Sequence, residues 1–259
     1  MSKPISPIHI FGISHPNFSQ RYGYIRKSLA AATSYPWEIV GVDGSAMARE
    51  PEFSNRGHKK DLSPGQIGCA LAHCKAYSRM EELGLQAAMV IEDDVKLPDQ
   101  FDKLIEQITK EIRPGEVISL HNPMMEKNSF SSFSAQVVLG MRLLYPMSPR
   151  SIRSASAYVI TIDAARNILR ANDPVQHLAD HWDAFYDKGL VTTYRILHPT
   201  PFRWLPFDSS IGYGGYKGVR AWLKGNPMIN SMVRLRRRYI FWRRLQNVHL
   251  VNEASPLEP

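Results

Sequence analysis

Three consecutive carboxylates, Glu92-Asp93-Asp94, stand directly after the apolar run Ala87-Ala-Met-Val-Ile91. Adjacent carboxylates repel one another unless something cationic joins them. A hard divalent ion such as Mg²⁺ or Mn²⁺ is held by one or two carboxylates together with substrate phosphates, so the triplet suits a metal-diphosphate site. The competing reading is a solvated acidic turn after a strand. A second polar constellation is Asp180-His-Trp-Asp183, with His177 four residues before His181. In a helix that spacing puts both imidazoles on one face, where with Asp180 they offer a transition-metal set or simply a polar face beside a cleft. Cys69 and His73 are also four apart, and helix packing is a simpler use for them than zinc. Trp182 is an aromatic that could form a sugar platform.

These groups need elements to position them. Ile8 to Ile13 reads as a strand, Ser19 to Ala32 as a helix and Trp37 to Gly44 as a second strand with its following turn, which together make a βαβ pattern. Residues 45 to 62 are polar and irregular and read as a mobile loop. Ser63-Pro-Gly-Gln66 is a capping box with Pro at the first helical position, and the helix it starts runs to Gly84. The run Ala87 to Ile91 has the composition of a strand buried on both faces of a parallel sheet. Ligands of open α/β sheets bind beyond the carboxyl ends of such strands, which is where the acidic triplet would lie. Pro98 opens a helix with Phe101, Leu104, Ile105, Ile108 and Ile112 at helical spacing, stopped by Arg113-Pro-Gly115.

Glu116 to His121 is a further strand. Residues 122 to 153 lack clear periodicity and are expected to form an insertion or lid. Ala157 to Thr161 is a strand, Asp163 is placed to cap a helix Ala164 to Ala171, His177 to Tyr186 reads as helical, and Thr192 to Leu197 as a strand. Pro199, Pro201 and Pro206 then break regular structure.

The 259 residues are 44% apolar and 22% charged, which excludes a disordered, collagen-like or low-complexity chain. No apolar run approaches the roughly 20 residues of a membrane-spanning helix, and the stretch before Pro16 lacks the features of an export signal. Cys69 and Cys74 would leave one helix on different faces and could not easily bridge, which implies a reducing, cytosolic compartment. The net charge of +8 is concentrated: nine Lys or Arg and no acidic residue fall between Ser209 and Asn252, and the rest of the chain is close to neutral. A domain over 1–208 followed by a mainly helical basic tail over 209–259 is the expected organisation. Within the tail, Met228 to Leu250 interleaves six Arg with Tyr239, Phe241 and Trp242. That mixture suits the headgroup zone of an anionic bilayer, where each basic residue contributes about 1 kcal/mol. A solvated basic face or an RNA-binding stripe is the alternative, and nucleic acid is not the expected partner.

Two blocks, Leu62-Ser-Pro-Gly-Gln-Ile-Gly-Cys-Ala-Leu-Ala-His73 and Val90-Ile-Glu-Asp-Asp-Val95, stand in an order and spacing that resembles the bacterial lipopolysaccharide glycosyltransferases of family 25. Ser156 to Thr161, the Ala-Ala-Arg helix, Leu178-Ala-Asp180, Gln20-Arg21 and Val42-Asp-Gly44 extend the resemblance over roughly residues 5 to 205. It implies an α/β, GT-A type domain with a Rossmann-like sheet, a nucleotide-sugar donor (commonly UDP-galactose), an acidic DXD-like motif and inversion at the anomeric carbon. Carried over by position, Asp93 and Asp94 would hold Mn²⁺ or Mg²⁺ with Glu92 in support. Arg21, Asp43, Gly44 and His73 would lie near the nucleotide, Asp180 would be the base, and His198 is a candidate late metal ligand. Two positions depart from the family pattern, Gln66 where Glu is usual and Ala72 where Ser is usual.

The expected function is therefore metal-dependent, inverting transfer of a hexose from a UDP-sugar to a lipooligosaccharide or related glycan, by a cytoplasmic protein peripheral on the inner face of the membrane. Two rivals keep the same acidic strand end. One is a metal-dependent phosphohydrolase or nuclease with a nucleic-acid-binding tail, and the other a non-catalytic nucleotide-binding protein.

Overall fold

Alternation of apolar side chains builds the sheet on which everything else is hung. A computed structural model of the chain describes residues 8–50, 52–122, 130–131, 135–147, 154–205 and 207. The basic tail 209–259, with the proposed docking stretch 228–250, lies outside the described residues. The strands are β1 (His9–Ile13), β2 (Trp37–Val40), β3 (Ala87–Glu92), β4 (Val95–Lys96), β5 (Glu116–Ser119), β6 (Phe130–Ser131), β7 (Val137–Val138), β8 (Met141–Pro146), β9 (Ala157–Thr161), β10 (Thr193–His198) and β11 (Arg203–Trp204). The helices are α1 (Ser19–Ala32), α2 (Gly44–Met47), α3 (Pro64–Glu82), α4 (Phe101–Glu111), α5 (Ile162–Ala171) and α6 (Trp182–Asp187). The main sheet runs β2-β1-β3-β9-β5-β10-β8-β6, with β7 beside β8.

The βαβ expectation holds, since β1 pairs in parallel with both β2 and β3. This is the Rossmann-like half expected of a GT-A type α/β domain, with the acidic triplet at its open carboxyl end. The sheet then turns mixed: β9 is antiparallel to β3 and to β5, while β10 is parallel to β5. The buried run of β3 thus owes its apolar character to helices on both faces of the sheet and not to an all-parallel environment.

Strand alternation sorts β3 between those faces. Met89 and Ile91 pack with Ile25 and Leu29 of α1 and with Phe101, Leu104, Ile105 and Ile108 of α4. Ala88 and Val90 pack with Ala72, Ala76, Tyr77 and Met80 of α3, with α5 and with Trp182 and Phe185 of α6. Burying each large side chain of this kind contributes about 1.5–3 kcal/mol. α3 starts as expected: the Ser63 side chain accepts from the Gln66 amide and the Ser63 amide donates to Gln66 Oε1. It ends in a left-handed Gly84, φ +64°, with the Leu85 amide donating back to the Met80 carbonyl.

Elsewhere the structure differs from the sequence expectations. Residues 45–62 include α2 and a 3₁₀ turn (Phe53–Arg56) and are tied down, because the Lys59 amide donates to the Val175 carbonyl and the Val175 amide to His58 Nδ1. The described parts of 122–153 are β6, β7 and β8, which extend the sheet through antiparallel pairing with β10. Their strands are short and half exposed, so they carry little apolar periodicity. Asp163 lies inside the first turn of α5, and the capping position belongs to Thr161, which makes no side-chain cap hydrogen bond. The helix expected from His177 starts only at Trp182. His177 and His181 consequently do not share a helix face, although their rings meet edge to face at 6.1 Å. Trp182 is fully buried and donates Nε1 to the Ser154 carbonyl, so it cannot be a sugar platform.

Candidate active site

The same alternation that packs β3 also divides its acidic end. Glu92 continues the α3 side of the strand, and Asp93 the α1 side. On the α1 side, Ser14, just past the end of β1, donates Oγ to Asp93 Oδ2 at 2.5 Å. Arg21, in the first turn of α1, reaches the other Asp93 oxygen and also lies 3.5 Å from Asp94 Oδ2. Asp94 Oδ2 further accepts from Trp204 Nε1 at 3.0 Å, and the Asp94 carbonyl accepts from the Leu205 amide at 2.7 Å. The second contact continues the antiparallel pairing of β11 with β4, where Trp204 faces Val95 and Arg203 faces Lys96. Asp94 Oδ1 is buried with no hydrogen-bond partner among the described residues.

Leaving a buried carboxylate oxygen unpartnered is costly and calls for an explanation. Burial, then the charge of Glu92, pushes the Asp94 carboxyl up to about 6, with Trp204 and Arg21 opposing the shift. Burial likewise raises Asp93, against Ser14 and Arg21. The site thus carries carboxylates that the protein alone does not fully neutralise. Two acidic side chains, one with a free buried oxygen, form the hard oxygen donor set that suits Mg²⁺ or Mn²⁺.

On the α3 side, Glu92 Oε1 lies 3.2 Å from His73 Nε2, and Oε2 accepts from Ser156 Oγ at 3.2 Å. His73 Nδ1 meets the Tyr158 hydroxyl at 2.8 Å, which meets the Tyr77 hydroxyl at 2.6 Å. Burial pushes the Glu92 carboxyl up, but the hydrogen bond and charge of His73, with help from Ser156 and Arg21, leave it below the usual carboxylate range. Cys69 Sγ is 4.0 Å from Glu92 Oε1. Burial, followed by the charges of Glu92, Asp180, Asp93 and Asp94, pushes the Cys69 thiol well above its ordinary range. Asp180, in the turn before α6, lies within electrostatic reach of Cys69.

The expected residues do not all converge. Arg21, Glu92, Asp93 and Asp94 come together, with His73 behind Glu92 and 1% exposed, where it supports the carboxylate from within the core, while Asp180 is linked to them through its charge acting on Cys69. Asp43 accepts from the Ala46 amide as the cap of α2 and from Asn17 Nδ2. Gly44 is a packing position: a Cβ there would meet the Pro64 carbonyl oxygen at 1.9 Å and the Gly68 amide nitrogen at 2.9 Å. His198 stands exposed at the end of β10, three strands from β3 and so roughly 14 Å away at the ~4.8 Å spacing of neighbouring strands. Sequence reasoning missed Ser14 and Trp204. Ser14 directly follows an apolar strand, a position that could have flagged it; Trp204 gave no signal because its strand is two residues long.

The profile of "Glycosyltransferase family 25 (LPS biosynthesis protein)" matches residues 43–182, more than half of the chain. The chain belongs to glycosyltransferase family 25. Among the relatives of this family 25 protein, "Putative glycosyltransferase" of Haemophilus influenzae is 27% identical over 177 residues, covering 62% of this chain and 58% of that protein. "Procollagen galactosyltransferase 1" of Danio rerio is 28% identical over 89 residues, 30% of this chain and 15% of that one. "Probable inactive glycosyltransferase 25 family member 3" of Rattus norvegicus is 29% identical over 62 residues, 24% of this chain and 11% of that one. The chain spans less than two thirds of the length of each.

The two departures from the family pattern both lie on α3, the helix that also carries Cys69 and His73. Gln66 completes the α3 cap by accepting from the Ser63 amide, and Ala72 is buried in the core between α3 and the sheet.

Proposed function

We propose that this family 25 protein is a metal-dependent, inverting hexosyltransferase that uses a UDP-sugar, galactose being the hexose favoured, with a lipooligosaccharide or related glycan as acceptor. The observation that carries the reading is the Asp93-Asp94 pair at the carboxyl end of β3, with one buried oxygen unpartnered and Arg21 alongside. The name of the zebrafish relative is the support for galactose, and the family description that for a lipopolysaccharide acceptor.

In this reading Asp93 and Asp94 hold a divalent cation, which when bound neutralises charge on the diphosphate leaving group. Ser14 fixes the Asp93 carboxylate through its 2.5 Å hydrogen bond, and Arg21 supplies positive charge on the α1 side, where the diphosphate oxygens would lie. Asp180 takes the proton from the acceptor hydroxyl as it attacks the anomeric carbon, an effect worth about 10²–10⁴-fold in rate. His73 and Ser156 hold Glu92 ionised behind the cluster. That keeps a fixed negative charge beside the cation.

The test is calorimetric binding of UDP, GDP and CMP with and without Mn²⁺, followed by transfer assays with UDP-galactose and a panel of glycan acceptors. Mn²⁺-dependent preference for UDP together with sugar transfer supports the reading. Nucleotide binding without turnover on any acceptor would favour the non-catalytic alternative, for which the name of the rat relative is the one specific support. Hydrolysis of a phosphodiester with no sugar acceptor would favour the phosphohydrolase. We also propose that residues 228–250 dock on an anionic cytoplasmic membrane surface, which their Arg and aromatic content supports. Salt-sensitive sedimentation with phosphatidylglycerol vesicles, absent with phosphatidylcholine, is the expected result.

A further inference from the structure

Trp182, the aromatic of the Asp180–Asp183 segment, is buried and presents no face to a sugar. A different indole stands at the acidic cluster. Trp204 is 66% exposed, the most exposed large apolar side chain among the described residues. A lone exposed aromatic is unremarkable on a protein surface. This one is fixed at one edge, because its Nε1 donates to Asp94 Oδ2 at 3.0 Å. Its backbone is fixed as well: Trp204 pairs with Val95 across the β4–β11 ladder, and the next amide, Leu205, donates to the Asp94 carbonyl. A few residues on, Phe207 packs edge to face against Tyr24 of α1 at 5.7 Å, which secures the segment on its far side. The polar edge of the indole is therefore satisfied by a carboxylate of the cluster, while most of the ring is left in water.

An aromatic ring offers a flat apolar face with a weakly negative π cloud, and the axial C–H face of a pyranose is its complement. Rigid presentation lowers the entropy lost when a ligand settles on it. Building on the glycosyltransferase reading, we propose that Trp204 is the platform for a hexopyranose ring at the reaction centre, positioned by its hydrogen bond to Asp94. The hexose of the donor and that of the acceptor share this chemistry, and both must come close to the diphosphate end of the site.

Two substitutions separate the ring from its hydrogen bond. Trp204→Phe keeps an aromatic face and loses the Nε1 donor, whereas Trp204→Ala loses both. Binding of UDP and of a non-transferable methylene-diphosphonate analogue of UDP-galactose, each with Mn²⁺, is measured by calorimetry. KM is measured for the best glycan acceptor of the wild-type protein, and binding of methyl β-galactoside and methyl β-glucoside by saturation-transfer NMR. If the platform holds the donor hexose, Trp204→Ala weakens the analogue about tenfold more than Trp204→Phe does, while the two variants, which both lose the hydrogen bond to Asp94, bind UDP alike. If it holds the acceptor, acceptor KM rises by a similar factor, the methyl glycoside signal falls, and donor binding is unchanged. In both cases Trp204→Phe, which keeps the aromatic face but not the hydrogen bond that positions it, falls between the wild type and Trp204→Ala. Equal losses in the Phe and Ala variants would overturn the proposal and leave Trp204 as a positioning residue for Asp94. So would unchanged donor and acceptor parameters in a folded Ala variant. A wild-type protein that binds neither the analogue nor the glycosides removes the glycosyltransferase reading itself, a result distinct from failure of the variants alone.

Discussion

Ser14 and Asp93 are joined by a 2.5 Å hydrogen bond across the carboxyl ends of two neighbouring parallel strands, 79 residues apart in sequence. The bond ties the end of β1 to the acidic triplet and fixes which Asp93 oxygen remains for Arg21. A hydrogen bond to a charged group is worth about 1.5–3 kcal/mol. Ser14→Ala is therefore expected to weaken Mn²⁺-dependent UDP binding by about tenfold or more. Calorimetry checks this, and an unchanged affinity would show that Asp93 does not need its neighbour.

Asp94→Asn should separate function from stability. The folded-state value of Asp94, about 6, lies above its ordinary 3.8. The stability linked to its protonation is thus fully present below the unfolded value and is lost as pH rises through about 6. The amide never ionises, so in EDTA the variant should be more stable than wild type at pH 7.5, by on the order of 2 kcal/mol, with the gap closing by pH 4. Transfer activity should be abolished. Thermal unfolding across pH, run beside the transfer assay, tests both halves; a variant less stable at pH 7.5 would contradict the assigned cause.

Asp180→Asn should lower kcat by at least 10² while leaving UDP affinity within twofold, because a base acts on the acceptor proton and not on the nucleotide. Equal losses in kcat and in donor binding would move Asp180 from base to donor positioning.

Gly44→Ala tests whether that residue serves packing or ligand binding. A Cβ would run into the Pro64 carbonyl and the Gly68 amide, both backbone and neither able to rotate away. The expected cost is about 1–3 kcal/mol in denaturant unfolding. Normal stability with lost nucleotide binding would return Gly44 to the binding site.

Arg195 and Glu116 form a fully buried ion pair between β10 and β5, with Nε–Oε1 at 2.5 Å and a second contact at 2.8 Å. Gln136 and the Glu111 carbonyl accept two further guanidinium protons. Removing one partner strands a buried charge, so Glu116→Gln should cost about 3–5 kcal/mol in chemical denaturation. A double replacement by apolar residues should recover much of that loss.

The elements were largely legible where apolar periodicity was strong. β1, α1, β2, α3, β3, α4 and β9 lie close to where alternation, helical spacing and capping chemistry put them. β6, β7 and β8 were not legible as strands, because short half-exposed strands bury too little to leave a pattern. The start of α6 was misjudged for a related reason: Asp180 and His181 suit a helix surface, but the Leu178 amide turns instead toward His181 Nδ1.

For the site, local sequence was enough to identify three carboxylates at a strand end, the helix cap before them and a family pattern around both. Those depend on neighbours within a few residues, where backbone geometry and side-chain type decide the outcome. Partners arriving from afar required the fold. The alternation of β3 sends Glu92 to His73 and Asp93 to Ser14, the crossing of α2 over α3 claims Gly44, and the return of β11 delivers Trp204 to Asp94 across 110 residues. Those pairings arise from sheet order and register, which are settled by burying both faces of the whole sheet at once and are not encoded in any single segment.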